Sequence, residues 1–204
     1  MSRQRQINQK KETRQLILSV AKEIMIKEGV DKISIRKITN TLNYSPGIVY
    51  HYFKDKEEII ESLLKEGYLE ILNSIRDTKE YEKEPEKEIR EKFINYINAV
   101  LRFSDVYLAI IFSNKPSILQ YTGILHKGVS EDRKSIKILC NLIRKGIQLN
   151  QFKECDVELT AQALWVSIFG LIIKLIIEGE IEIEQKEKLI NQQLDIIISG
   201  IKKH

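Results

Sequence analysis

Two cysteines among 204 residues, Cys140 and Cys155, are too few for a disulfide framework. They lie fifteen apart with no partner pair, so a zinc site is not expected either. The three histidines, His51, His126 and His204, share no ligand spacing. A glycine-rich phosphate loop and a nucleophile elbow are both missing, so the expectation is no cofactor, no metal and no enzymatic activity. Only three prolines and nine glycines interrupt the chain. The first residues, MSRQRQINQKK, are polar and basic with no apolar stretch of a signal peptide, which points to a reduced, cytoplasmic setting. The longest apolar run, residues 163–177, is too short for a bilayer and contains Lys174. It reads as a buried helix, and no membrane partner is expected.

Hydrophobic residues make up 43% and charged residues 30%, the balance of a folded globular chain. Helical periodicity runs nearly throughout, so the fold class is all-α. The apolar stripe Leu16, Ile17, Val20, Ala21, Ile24 and Met25 predicts a helix over 12–28, closed by Gly29. Further helices are predicted at 34–42, 46–52 and 55–76, the last with Asp55 and Glu58 as a capping box. A charged linker with Pro85 covers 77–86. Helices at 86–103, 105–113, 117–126, 129–149, 157–178 and 184–202 complete the chain, with Asp156 capping the 157–178 helix.

Charge is unevenly spread. Residues 1–56 hold 12 Lys and Arg against 5 Asp and Glu, net +7, and the remainder holds 21 against 24, net −3. A basic head on a mildly acidic body suits a protein whose first segment meets a polyanion. The arms Arg3, Arg5, Lys10 and Lys11 either reach a DNA minor groove or form a disordered basic terminus.

The segment SIRKITNTLNYSPGIVYHYFKDK, residues 34–56, is the most informative. Ile35, Ile38 and Leu42 give one helix an apolar face, and Ser34 is placed to cap it. Asn43 tolerates the left-handed conformation of a sharp turn. Ser45 is placed to cap the next helix, and Pro46 suits its first position. Val49 and Phe53, four apart, point inward. Gly47, Ile48, Tyr50, His51 and Tyr52 have no single buried face to share, which is the pattern of a recognition helix.

Residues 13–57 resemble the DNA-binding domain of the TetR family of repressors. The matching positions are Thr13, Ile17 and Ala21 on the first helix, Gly29, Ser34-x-x-x-Ile38, Ser45-x-Gly47, Tyr50-x-Tyr52-Phe53 and Lys56-Glu57. The chain departs from the family's pattern at Thr39, where a small residue is usual. It departs again at Leu42-Asn43-Tyr44, where an Ala-Gly-Val-like turn is usual. The resemblance implies that Tyr50 and Tyr52 bond phosphates, with Lys56 adding charge beside a helix N-terminus. It implies that Pro46, Gly47, Ile48 and His51, following Ser45, face base edges, that Arg36 reads a base and that Thr13 meets a phosphate.

The rest of the chain is less explicit. The last two helices are apolar on more than one side, which a single core cannot satisfy. A two-fold four-helix interface with a second copy follows, with Leu164, Ile168, Ile172, Leu189, Gln193 and Ile197 as candidates. The same interface is what the resemblance implies. Phe93, Tyr96, Phe103, Tyr107, Phe112, Tyr121, Trp165 and Phe169 are candidates for an effector pocket, with Arg102, Asn114 and His126 as polar anchors. The expected organisation is a DNA-binding domain over 1–56 and a larger effector-binding and dimerisation domain over 57–204. The expected function is a homodimeric regulator, a repressor on a palindromic operator of double-stranded DNA, released by a small hydrophobic effector. A ligand-independent architectural or cell-division protein on the same fold is the alternative.

Overall fold

The computed structural model describes residues 3–76, 81–112 and 122–203. Ten α-helices lie among them: α1 Arg3–Glu28, α2 Ile35–Leu42, α3 Pro46–Tyr52, α4 Lys56–Arg76, α5 Pro85–Arg102, α6 Ser104–Ile111, α7 Val129–Asp132, α8 Lys134–Gln148, α9 Val157–Glu178 and α10 Ile183–Ser199. Two residues, Phe152 and Lys202, form an isolated β-bridge, and no strand occurs among the described residues. The all-α expectation holds. The chain divides into two compact units, residues 1–68 with 105–122, and residues 69–104 with 123–204. Helix α4 belongs to the first unit as far as Tyr68 and to the second from Leu69.

In the first unit, α1 begins at Arg3 rather than at residue 12. Its first turns are mainly Arg, Gln and Lys, which favour helix, and with Ile7 as the one apolar residue before Leu16 they carry no periodic signal. The alternative of a disordered basic terminus is therefore corrected over the described residues: Arg5, Lys10 and Lys11 are helical and exposed. Ile17, Leu18, Ala21 and Met25 are buried, whereas Leu16 faces outward at 43% exposure. Gly29 stops the helix at φ 96°, a conformation that strains any residue with a Cβ.

Ser34 caps α2 by accepting the Lys37 N–H at 3.2 Å. Asn43 then sits at φ 53°, ψ 39°, and the Tyr44 N–H turns back to the Thr39 carbonyl at 3.0 Å. Thr39, bulkier than the usual residue, is buried without an orphaned hydroxyl because it donates to the Arg36 carbonyl at 3.0 Å. At the start of α4, Asp55 accepts the Glu58 N–H at 2.8 Å and Glu58 accepts the Lys54 N–H at 2.7 Å. This is the reciprocal exchange that the capping pair predicts, with the return bond shifted by one residue.

In the second unit, α5, α8 and α9 pack on one another, and α10 packs on α5 and α9. Ile89, Phe93, Ile97, Val100, Ile136, Ile143, Leu164, Ile168, Ile172 and Leu194 supply the core. An ion pair between Arg90 and Asp195 joins α5 to α10 at the surface. The helix expected over 129–149 is broken at Arg133, whose extended backbone separates α7 from α8. The helix expected over 117–126 does not reach residues 122–126, and the rest of it lies outside the described residues. Helix α9 is long and apolar enough to cross a membrane, yet its inner face is packed among α5, α8 and α10. The expectation of a buried helix too short for a bilayer is therefore corrected: the helix is long enough, only 33% of its apolar window is buried, and the burial is confined to the inner face.

Candidate nucleic-acid interface and apolar cleft

Helix α3 is held by one edge. Val49 and Phe53 are fully buried, and the Phe53 N–H bonds the Val49 carbonyl at 3.0 Å. Pro46, Gly47, Ile48, Tyr50 and His51 are exposed together on the other side. Tyr50 is 56% exposed, so its hydroxyl is free of the core. Tyr52 is half-buried and takes the His51 ring edge-on, with centroids 5.1 Å apart. Pro46 opens the helix as expected. Ser45 stands at the cap position, but its hydroxyl makes no capping bond, which corrects that expectation. The backbone turn from Ser45 to Ile48, closed at 3.0 Å, suffices to start the helix.

The surrounding candidates are less uniform. Arg36 is exposed on α2. Lys56 is exposed at the start of α4, 3.9 Å from Glu57, so part of its field is spent on that carboxylate. The Thr13 hydroxyl donates to the Gln9 carbonyl at 3.0 Å within α1, so an acceptor lone pair is what it still offers.

One organising residue escaped the sequence reading. Arg14 lies 4.8 Å over the Phe53 ring and donates to the Ser62 hydroxyl at 2.9 Å, with Glu66 at 3.8 Å. It binds α1, the end of α3 and α4 into one frame. Periodicity could not find it, because an arginine beside an apolar stripe looks solvated until its partner ring is placed.

The second unit holds a narrow, nearly closed cleft with about 20 Å³ of free space. Ile75, Ile89, Lys92, Phe93, Tyr96, Ile138, Leu139, Leu142 and Trp165 line it with Ser135. Three of the aromatic candidates therefore meet there. Trp165 lies 6.0 Å from Phe93 and 4.9 Å from Tyr96, ring centroid to centroid. The other candidates do not line the cleft. Phe103 and Phe169 are half-buried elsewhere, Tyr107 is buried in the first unit and Phe112 is 69% exposed. Tyr121 and Asn114 lie outside the described residues. Arg102 and His126 are exposed and line no part of it.

The loop before α7 is pinned from α9. The Glu158 carboxylate accepts the Gly128 N–H at 2.7 Å, the Ser130 N–H at 2.9 Å and the Ser130 hydroxyl at 2.5 Å. These donors hold its pKa below the ordinary glutamate value. Gln162 donates to the carbonyls of Ile124 at 2.8 Å and His126 at 3.1 Å.

Helix α9 also carries a second apolar face. Leu159, Ala163, Val166, Gly170 and Ile177 point outward at steps of four, three, four and seven residues, with the exposed Lys174 standing between the last two. The expected interface residues Leu164, Ile168 and Ile172 are buried in the chain's own core and cannot reach a partner. The correction is one of register: the helix has two apolar stripes, and composition does not say which faces inward. On α10, Leu189 is exposed, and Gln193 and Ile197 are half-buried.

Residues 17–63 match the family described as bacterial regulatory proteins, tetR family, which spans α2, α3 and the flanking helices. The fatty acid metabolism regulator protein of Bacillus subtilis is 28% identical over 200 residues, covering 96% of this chain and 98% of that protein. Residues 17–63 are thus a DNA-binding domain of the tetR family, and the chain as a whole resembles transcriptional regulators that carry it. The HTH-type transcriptional regulator QacR of Staphylococcus aureus is 26% identical over 195 residues, covering 92% and 97%. The structure of SmeT, repressor of the Stenotrophomonas maltophilia multidrug efflux pump SmeDEF, superposes with a TM-score of 0.70 at 19% identity, covering 93% of this chain and 90% of that one. In this TetR-family frame α2 and α3 are the helix-turn-helix.

Proposed function

We propose that this protein is a TetR-family regulator that binds a palindromic operator as a homodimer in the cytoplasm and represses, and that a small, mainly apolar effector releases it. The observation that carries the reading is α3. It is anchored through Val49 and Phe53 and presents Pro46, Gly47, Ile48, Tyr50 and His51 on one exposed face. Ile48 and Pro46 suit thymine methyls, and the Tyr50 hydroxyl suits a phosphate. Arg36, Ser45, Tyr52, Lys56 and Thr13 would flank that contact.

Dimerisation is supported by the outward stripe of α9 with Leu189 and Ile196 of α10. Ala163 and Gly170 leave shallow places on that stripe where a second helix can come close. Two-fold pairing would place two copies of α3 on half-sites one DNA turn or more apart.

Release is supported by α4. It runs unbroken from Lys56, three residues beyond Phe53, to Arg76, and its Ile75 lines the cleft. An effector that prefers one setting of α4 shifts the population by its differential affinity for the two settings. SmeT, a neighbour of this fold, is also known in complex with triclosan.

The test is binding of the purified protein to DNA upstream of its own gene at several salt concentrations, beside Tyr50→Ala. Tight binding that weakens steeply with salt and about tenfold or more in the variant is expected. Binding that is weak, sequence-independent and unchanged in the variant would overturn the reading.

A further inference from the structure

Helix α1 changes character along its length. From Ile17 onward its inner face is buried in the first unit. Before that, residues 5–12 are exposed without interruption, Ile7 included at 42%. More than two turns of helix therefore stand outside the core.

These turns carry charge of one sign. Residues 1–11 hold Arg3, Arg5, Lys10 and Lys11 and no acid, and the first carboxylate is Glu12. A polar helix that stands clear of its own protein is ordinarily held by ion pairs between successive turns. Before Glu12 this one has no acid with which to make them.

The arm starts beside the recognition helix, within the same compact unit. Arg14 lies 4.8 Å over the ring of Phe53, the residue that closes α3. At 1.5 Å per residue, Lys11 and Lys10 stand about 5–6 Å further along the axis of α1, and Arg5 about 14 Å. Lys10 is one turn before Arg14 and shares its side of the helix. A duplex read by α3 therefore comes within reach of these cations.

The width of the arm limits how it can meet that duplex. A helix with its side chains is about 10–12 Å across and the minor groove about 6 Å wide, so a helical arm cannot thread that groove and must ride on the phosphates. A membrane surface is the poorer partner. An interfacial helix needs an apolar face, and Ile7 is the arm's single apolar side chain.

We propose that residues 3–11 are a helical arm that lies on the DNA backbone at the edge of each half-site, with Arg5, Lys10 and Lys11 on its phosphates. This rests on the reading of α3 as the helix that meets DNA. Phosphate contacts carry no sequence information, so the arm adds affinity for any duplex and leaves the choice of sequence to α3.

The test is titration of the full-length protein with DNA from upstream of its own gene, and with a scrambled duplex of equal length, over a range of salt. Arg5, Lys10 and Lys11 would be changed together to glutamine, which keeps helix propensity at exposed positions. The slope of log affinity against log salt falls by about 0.9 for each phosphate contact removed, so with two arms on the operator a loss of about 2–5 is expected. The ratio of operator to scrambled affinity should stay the same. Lys127, Lys134 and Lys137, exposed in the second unit, changed to glutamine as a set remove equal charge and should leave the slope nearly unchanged. Gln9→Pro keeps every charge but breaks the helix between Arg5 and Lys10, and it should lower the slope through Arg5. A wild-type slope in the arm variant, or an equal loss in the second-unit set, would overturn the arm. A collapsed operator preference would mean that these residues act by placing α3 instead. A full slope in Gln9→Pro would overturn docking as a helix. If the wild type shows no operator preference, the reading of α3 falls, and the slope on scrambled DNA still decides the arm.

Discussion

Phe152 lies flat against Gly146, so close that a Cβ on residue 146 would stand 2.0 Å from its ring. The Gly146 carbonyl accepts the Phe152 N–H at 3.1 Å, and Phe152 is 2% exposed, so neither side can give way. The pair closes the end of α8 under the bridge from Phe152 to Lys202. Gly146→Ala is expected to cost about 1–3 kcal/mol as an overpacked site. At roughly 2–4 °C per kcal/mol for a chain of this size, a thermal melt would register it. An unchanged melting temperature would show that the ring has room to move.

Ser34 and Ser45 occupy equivalent cap positions in the two helices of the motif, but only Ser34 uses its hydroxyl there. Ser34→Ala should lose about 1 kcal/mol of stability, the ordinary value of a cap. Ser45→Ala should leave stability nearly unchanged and weaken operator binding, because its hydroxyl is available to DNA. Urea melts set beside operator titrations would separate the two. Equal losses of stability would mean that Ser45 caps α3 in solution.

The head of the chain was legible because its signals are local. Ser34, Asn43, Pro46 and the Asp55–Glu58 pair act within four residues of themselves, and each sits where it was expected. The facing of α9 was not legible, since Ile168 and Val166 are chemically alike and only the packing of α5, α8 and α10 separates them. Nor was the ion-paired group of Lys92, Glu88 and Lys145, because its third member joins from another helix. In sequence it is one more Glu-Lys neighbourhood of the kind that usually faces water.

Glu158 couples α9 to acid stability. Its folded pKa lies below the ordinary value of 4.5, because Ser130 and Gly128 donate to the charged form. A depressed carboxylate stabilises the fold above the unfolded value, and the contribution is lost as pH falls through the folded one. Glu158→Gln should therefore melt below the wild type at neutral pH, and the gap should narrow as pH falls below 4.5 and close once it has passed the folded value. A gap of constant size across that range would remove the carboxylate's charge from the explanation.

The two thiols should differ sharply in reactivity. Cys140 is fully buried, and burial pushes its pKa up, away from the reactive thiolate. Cys155 is exposed after α8. A thiol reagent added to the native protein is expected to modify Cys155 promptly and Cys140 only after denaturation, with Cys155→Ser abolishing the prompt phase. Prompt labelling that survives in Cys155→Ser would mean that the α8–α9 packing opens readily.

Val166 and Ile168 give the test of the proposed dimer face, because they lie two residues apart on opposite sides of α9. Val166 is 45% exposed and Ile168 fully buried. A charge at 166 meets only what covers the outward stripe, whereas one at 168 enters the chain's own core unpaired, at a cost of several kcal/mol. Val166→Glu should yield a folded monomer with unchanged helix content and weakened operator binding, and Ile168→Glu should fail to fold. Sedimentation and circular dichroism on both variants would read this out. A Val166→Glu protein that remains dimeric would move the interface off this face, and the paired recognition helices would then need another two-fold axis.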